Sequence, residues 1–134
     1  MGLAASGYVR RSECPYVRGI RLHLRGLRFS IRHAEEIVGL MGLIDLREHD
    51  ELEEGDDPNA AFLMRMMIGS EHQGQGFGTS AMHHAISWAR ARGNSAFQTS
   101  VVPGNHAALR FYVSLGLNRT GRVVEDEIEL TMGL

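Results

Sequence analysis

The densest chemistry in the sequence lies in one loop. Residues 69–78 read Gly-Ser-Glu-His-Gln-Gly-Gln-Gly-Phe-Gly and lead straight into a helical pattern. A glycine-dense loop at a helix N-terminus suits phosphate. The first helical N–H groups lack intrahelical partners, and the dipole adds about half a positive charge there. Glycine lets the backbone approach an anion closely and adopt left-handed angles. Gly74, Gly76 and Gly78 would aim N–H groups at a pyrophosphate, and Gln73 would add a side-chain donor. Standing alone, the loop is also readable as a flexible entry to a helix. Its G-x-G-x-G spacing differs from the dinucleotide G-x-G-x-x-G, and it does not follow a first strand. A Rossmann site is therefore a poor fit.

Other chemistries are limited by what the chain lacks. All 14 basic side chains are Arg. Without Lys there is no P-loop lysine and no amine for a Schiff base. No G-x-S-x-G elbow occurs. Cys14 is the single cysteine, so no internal disulfide forms. No His or Cys pair has metal-ligand spacing. His83 and His84 are adjacent, about 100° apart on a helix, and no metal is expected. No apolar run approaches the ~18–20 residues of a membrane span. The first residues lack a signal-peptide apolar stretch. A cytoplasmic location without membrane partners is the expectation.

The net charge of −2 hides an uneven layout. Seven Arg lie between Arg10 and Arg32, with Glu13 the only acid there. That stretch is readable as a nucleic-acid arm or a transit peptide, but a solvated irregular terminus is the simpler reading, and no nucleic-acid partner is expected. Between Asp45 and Asp57, eight of thirteen residues are acidic and only Arg47 is basic. This run is either plain solvated surface or a lure for a cationic acceptor such as a polyamine.

The elements that position the loop follow from periodicity. The 134 residues are expected to form a single domain. Residues 1–26 give no firm element beyond a possible short strand near 20–24. Leu27–Arg32 alternates, His33–Glu35 turns, and Glu36–Leu46 is apolar, which reads as a hairpin. Residues 47–59 are a loop. Ala60–Ile68 reads as a buried central strand. Thr79–Arg92 has helical spacing, with Phe77, Ala81, Ala85 and Ala89 in one row and Gly93 as its stop. Ala96–Val102 is a strand. Asn105 caps a helix to about Leu115, closed by Gly116. Leu117–Arg122 and Glu127–Met132 make a final hairpin. The order β-β-β-α-β-α-β-β means α+β, a mixed sheet with packed helices.

Two motifs now stand in order. Gln73-Gly74-Gln75-Gly76-Phe77-Gly78 resembles the signature Q/R-x-x-G-x-G/A of the GNAT superfamily of N-acetyltransferases. The run from Asn105 to Leu117 (NHAALRFYVSLGL) is similar to that family's N-x-x-A-x-x-F/L-Y-x-x-x-G-F, with Leu117 for the final Phe. The resemblance covers about residues 27–132, with a pyrophosphate-loop motif at 60–93 and a second CoA motif at 96–117. Within the superfamily, Ser100–Asn105 and the following helix look like small-amine acetyltransferases of the spermidine/spermine type.

The resemblance implies a sheet splayed between the strand at 60–68 and that at 96–102, with pantetheine in the gap. Acetyl-CoA would contact Met66, Met67 and Ile68 of the strand. It would also contact Gln73, Gly74, Gln75, Gly76, Phe77, Gly78 and Thr79 of the loop, and Asn105, Ala108 and Tyr112 of the second motif. The Met67 N–H would polarise the thioester carbonyl. The Met side chains themselves are equally readable as core. Tyr112 would protonate the leaving thiolate, or else simply pack with its hydroxyl at the rim. Asn105 has two compatible tasks, helix cap and CoA contact. A base or water chain must deprotonate the amine, and Glu71 is one candidate among several acids. The implied activity is direct acetyl transfer to a primary amine, small or a polyamine, by a homodimer. A non-catalytic acyl-CoA-binding module and a protein or peptide N-acetyltransferase are the alternatives. The stretch 1–26 is short for the strand and two helices with which such domains begin.

Overall fold

The computed structural model describes residues 2–5, 10–12, 24–49 and 52–134. The described residues form eight strands: β1 (Gly2–Ala5), β2 (Arg10–Ser12), β3 (Leu24–His33), β4 (Glu36–Asp45), β5 (Ala60–Ile68), β6 (Ala96–Val101), β7 (Asn118–Val124) and β8 (Glu127–Gly133). Two helices, α1 (Phe77–Ala91) and α2 (His106–Ser114), and two short 3-10 turns complete the set. The sheet runs β1-β3-β4-β5-β6-β8-β7, with β2 also paired to β3. Among the described strands, only β5 and β6 are parallel neighbours. The fold is the expected mixed α+β.

Sequence explains most of these elements. The α1 stripe of Phe77, Ala81, Ala85 and Ala89, with Met82 and Ile86, is buried. It packs on Ile31, Met41, Leu43, Leu63 and Phe97 of the sheet. Gly93 ends the helix at φ 83°, the left-handed angle a C′ residue needs. The helix α2 packs on the same cluster through Leu109, Phe111, Tyr112 and Leu115. A smaller cluster of Ile44, Leu46, Ala60, Phe62 and Ala96 lies apart from it.

Two features were not anticipated, and one expectation falls mostly outside the described residues. Residues 2–5 and 10–12 form strands along β3, although they are too short for a readable period. Of the short strand expected near 20–24, Leu24 opens β3 and residues 20–23 lie outside the described residues. The last hairpin turns at Glu125 and Asp126, with φ of 50° and 64°. Two consecutive left-handed residues match the strand twist, but this turn lacks the glycine that announces it.

The acidic segment is tied down, not free. Asp45 is buried and accepts hydrogen bonds from Arg47, Arg92 and Asn94. Arg122 on β7 pairs with Asp56 at 2.7 Å and with Glu129 at 3.3 Å, and donates to the Glu54 carbonyl. These contacts fasten the segment to β7 and β8, and Leu52 packs on the same small cluster as Met64 of β5.

Candidate active site

The sheet forks at its centre. Strands β5 and β6 pair only at Ala60–Ala96, Ala61–Phe97 and Phe62–Gln98. Beyond Phe62, β5 keeps β4 on one side and, among the described residues, has no strand on the other. At the fork the Thr99 hydroxyl donates to the Leu63 carbonyl at 3.1 Å.

The β4–β5 register decides which amides face the gap. Antiparallel residues alternate between exchanging hydrogen bonds with the neighbour and pointing away from it. Gly69 N–H donates to the Val38 carbonyl at 2.8 Å, and the register continues through Gly39–Ile68, Leu40–Met67 and Met41–Met66. Two residues before Gly69, Met67 is therefore bonded to Leu40. The groups of Met66 and Ile68 open into the gap. In this register the Met67 N–H turns toward β4, and its side chain is half exposed.

The glycine loop is open as a cradle. Gly74 and Gly76 sit at φ 77° and 84°, and a Cβ on either would meet nothing within 4 Å. These glycines serve backbone direction, not close packing. Gly76 is the N-cap of α1 and has no side-chain cap. The N–H groups of Phe77, Gly78 and Thr79 thus begin the helix without intrahelical partners. The Gln73 amide does not project to the cradle as a donor. It donates to the Ile68 carbonyl at 3.1 Å and pins the loop to the tip of β5.

A cavity of about 600 Å³ joins these parts. Its lining brings together Met66, Ile68, Gln73, Gly74, Gly76, Phe77, Gly78, Thr79, Ala108 and Tyr112 from the expected set. Met67, Gln75, Asn105 and Glu71 are not in it. Gln75 faces back to the Glu71 carbonyl. Asn105 caps α2 by accepting from Ala108 N–H at 3.1 Å, as expected. Glu71 lies exposed on the turn Ser70–His72, outside the lining.

Tyr112 is largely enclosed. Burial pushes its phenol above the ordinary value, and the Thr99 side chain, its hydrogen-bond partner, opposes that rise. The hydroxyl therefore stays protonated through neutral pH, as a proton donor must.

Three lining residues were not expected: His72, Ala107 and Phe111. His72 pairs with Glu36 at 3.3 Å, and its ring lies near Phe77. His33 lies over Phe77 as well, at 5.0 Å, so the β3–β4 turn docks on the start of α1. His72 stood inside the glycine loop, but its partner comes from a distant hairpin that no local spacing reveals. Phe111 stood inside the second motif and reaches Gly78, where a Cβ would touch its ring at 3.6 Å.

The model of the acetyltransferase (GNAT) family matches residues 5–117. The chain belongs to that family. No curated protein matches it by sequence. Among solved structures, an IAA acetyltransferase from Bacillus cereus is 20% identical with a TM-score of 0.66, over 82% of this chain and 79% of that one. Mutant forms of the spermidine/spermine N-acetyltransferase SpeG from Vibrio cholerae are also 20% identical, TM-score 0.66, over 81% of this chain and 66% of theirs. A Bacillus subtilis acetyltransferase solved with CoA is 16% identical, TM-score 0.67, over 82% and 78%. At these identities the neighbours share the GNAT fold. Among the described residues no helix is long and apolar enough to cross a membrane, and no cluster has the make-up of a metal site.

Proposed function

We propose that this acetyltransferase moves the acetyl group of acetyl-CoA directly to the primary amine of a small molecule. The fork between β5 and β6 carries this reading, because it gives the pantetheine arm a gap beside an open glycine cradle. The diphosphate would rest on the N–H groups at the start of α1. The pantetheine would pair with the groups that Met66 and Ile68 turn into the gap.

The reaction follows from that placement. The amine nitrogen attacks the thioester carbonyl, and the oxyanion that develops is met by a backbone N–H of β5, Met66 or Ile68. The nitrogen gives its proton to water. The new C–N bond forms as the C–S bond breaks, and Tyr112 donates its proton to the sulfur, then recovers one from solvent. The products are an N-acetyl amine and CoA. Among the described residues no carboxylate lines the cavity, so the proton leaves through water and not through Glu71. The homodimer expected from the family belongs to this proposal and is read by sedimentation.

The test is mass spectrometry of the purified chain for bound CoA, followed by thiol release with an amine panel. Both bound CoA and acceptor-dependent release are expected. Bound CoA without turnover on any amine would replace this reading with that of an acyl-CoA-binding module.

A further inference from the structure

The tip of β5 is set by a glycine on the neighbouring strand. The β3–β4 register slips between Ile31 and Arg32. Gly39 stands opposite Ile31 and Ile37 opposite Arg32, so Val38 is one residue too many for β3. Such a bulge bends its strand and re-aims the groups beside it. The Val38 side chain is buried in the main core, and its carbonyl accepts the Gly69 N–H at 2.8 Å. The next residue, Gly39, is turned onto β5. A Cβ there would collide with the Met67 carbonyl oxygen, and would stand 3.0 Å from Ile68 Cδ1 and 3.3 Å from Ile31 Cδ1. The last two are ends of side chains, which can rotate. The carbonyl is backbone and cannot. A glycine inside a strand marks such a close approach of another backbone. Gly42, three residues on, differs: a Cβ there would meet Met64 at 3.7 Å, an ordinary contact.

The two sides of this contact are held unequally. Strand β4 is paired to both β3 and β5, and Val38 and Ile31 are 3% and 0% exposed. The tip of β5, among the described residues, is paired to β4 alone. That tip turns the Met66 and Ile68 groups into the gap, and its Ile68 carbonyl holds the Gln73 amide. Helix α1 is anchored separately, by its buried stripe from Phe77 to Ala89. A side chain at residue 39 would therefore push the β5 tip outward and leave the start of α1 in place.

We infer that Gly39 is a positioning residue for the thioester end of the cofactor. Its bare Cα lets the Met67 carbonyl nest against β4, and this fixes the spacing between the open edge of β5 and the N–H groups that begin α1. The pantetheine arm and the diphosphate are gripped by these two different elements, so one ligand fits both only at that spacing. This rests on the transferase reading above.

The experiment is titration calorimetry of Gly39→Ala and Gly42→Ala with acetyl-CoA and with ADP, which keeps a diphosphate and lacks the pantetheine arm. Gly39→Ala should weaken acetyl-CoA about tenfold, as a displaced backbone hydrogen bond would, and bind ADP within about twofold of the native chain. Its kcat with any amine that the native chain accepts should fall about 100-fold, since misplacement by about 1 Å is enough for that. Gly42→Ala should match the native chain in all three. Gly69→Pro reaches the same displacement from the other side. Its φ of −54° and ψ of 142° suit proline, but the N–H that the Val38 carbonyl holds is lost. It should show the same split between acetyl-CoA and ADP, and it decides the matter where circular dichroism finds Gly39→Ala unfolded. Native acetyl-CoA affinity and kcat in either folded variant, or an equal loss for acetyl-CoA and ADP, overturns the role of Gly39 and leaves the transferase reading standing. A native chain that binds no acetyl-CoA overturns the transferase reading itself.

Discussion

The two halves of β5 are one continuous strand with opposite duties. Ala60, Ala61, Phe62 and Leu63 are buried; Ala61 and Phe62 pair with both β4 and β6, Ala60 with β6 and Leu63 with β4. From Met64 to Ile68 the strand is paired on one side only, and its residues are half-buried or exposed. The first half gains stability from apolar burial and satisfied backbone groups. The second half leaves N–H and C=O groups on one edge for a ligand to satisfy. The difference teaches that the reactive gap is made by ending a strand pairing early while the strand itself continues.

The sharpest division between the halves comes from emptying the first one. Phe62 is 1% exposed. Phe62→Ala removes a buried aromatic and should cost about 3–5 kcal/mol of folding stability. Urea denaturation checks this. Acetyl-CoA affinity, measured where the variant is still folded, should stay within about twofold. A large loss of affinity in the folded variant would show that the two halves are not separable.

The gap half is tested by its proton donor. Tyr112→Phe keeps the ring and removes the hydroxyl, and should lower kcat about 100-fold with acetyl-CoA affinity unchanged. An unaltered kcat removes Tyr112 from the chemistry. The cradle comes next. Gly76 needs φ 84°, which a branched side chain reaches at a cost of about 1–2 kcal/mol. Gly76→Val should weaken acetyl-CoA binding roughly tenfold, while a spacious neighbourhood spares the packing. Undiminished binding by titration would mean that this backbone turn does not hold the diphosphate.

Acid separates the halves again. Burial alone would raise the Asp45 carboxyl, but hydrogen bonds from Arg47, Asn94 and Arg92 outweigh it and hold the pKa at about 2, below the usual 3.8. A carboxyl depressed by folding stabilises fully above its unfolded value and loses that contribution as pH falls through its folded value. The stability advantage of the native chain over Asp45→Asn should therefore shrink between pH 3.8 and about 2. An advantage that stays constant across that window in acid titrations would place the origin of Asp45's contribution elsewhere.

What the sequence revealed follows the same division. The apolar run Ala60–Ile68 announced a strand, and its bounds are those observed. The helix stripes and the stops Gly93 and Gly116 were legible because local periodicity and left-handed angles are local facts. Tyr112 and the glycines were legible through motif spacing. The direction of the Met67 N–H was not, because it depends on the register with β4, which is a long-range choice. The His72–Glu36 pair and the Thr99 partner of Tyr112 both join residues from different elements. Pairing of β1 and β2 to β3 was hidden for another reason: segments of four and three residues carry too few alternations to show a period.

The smallest expected effect concerns the hinge between the two motifs of the gap half. Gln73 carries a side chain that the family signature would place at the phosphate, yet its amide is held by the Ile68 carbonyl at 3.1 Å. That bond uses an edge group of β5 which the fork leaves open, and it fixes the loop against the strand. An exposed hydrogen bond of this kind contributes about 0.5–1.5 kcal/mol. Gln73→Ala should raise the dissociation constant for acetyl-CoA only about two- to tenfold and leave kcat for any accepted amine unchanged. Desulfo-CoA and dephospho-CoA, titrated in parallel, separate the two tasks available to this residue. An equal loss for both ligands fits a residue that positions the loop. A loss that vanishes when the 3′-phosphate is absent would mean that the amide leaves Ile68 on binding and grips that phosphate itself.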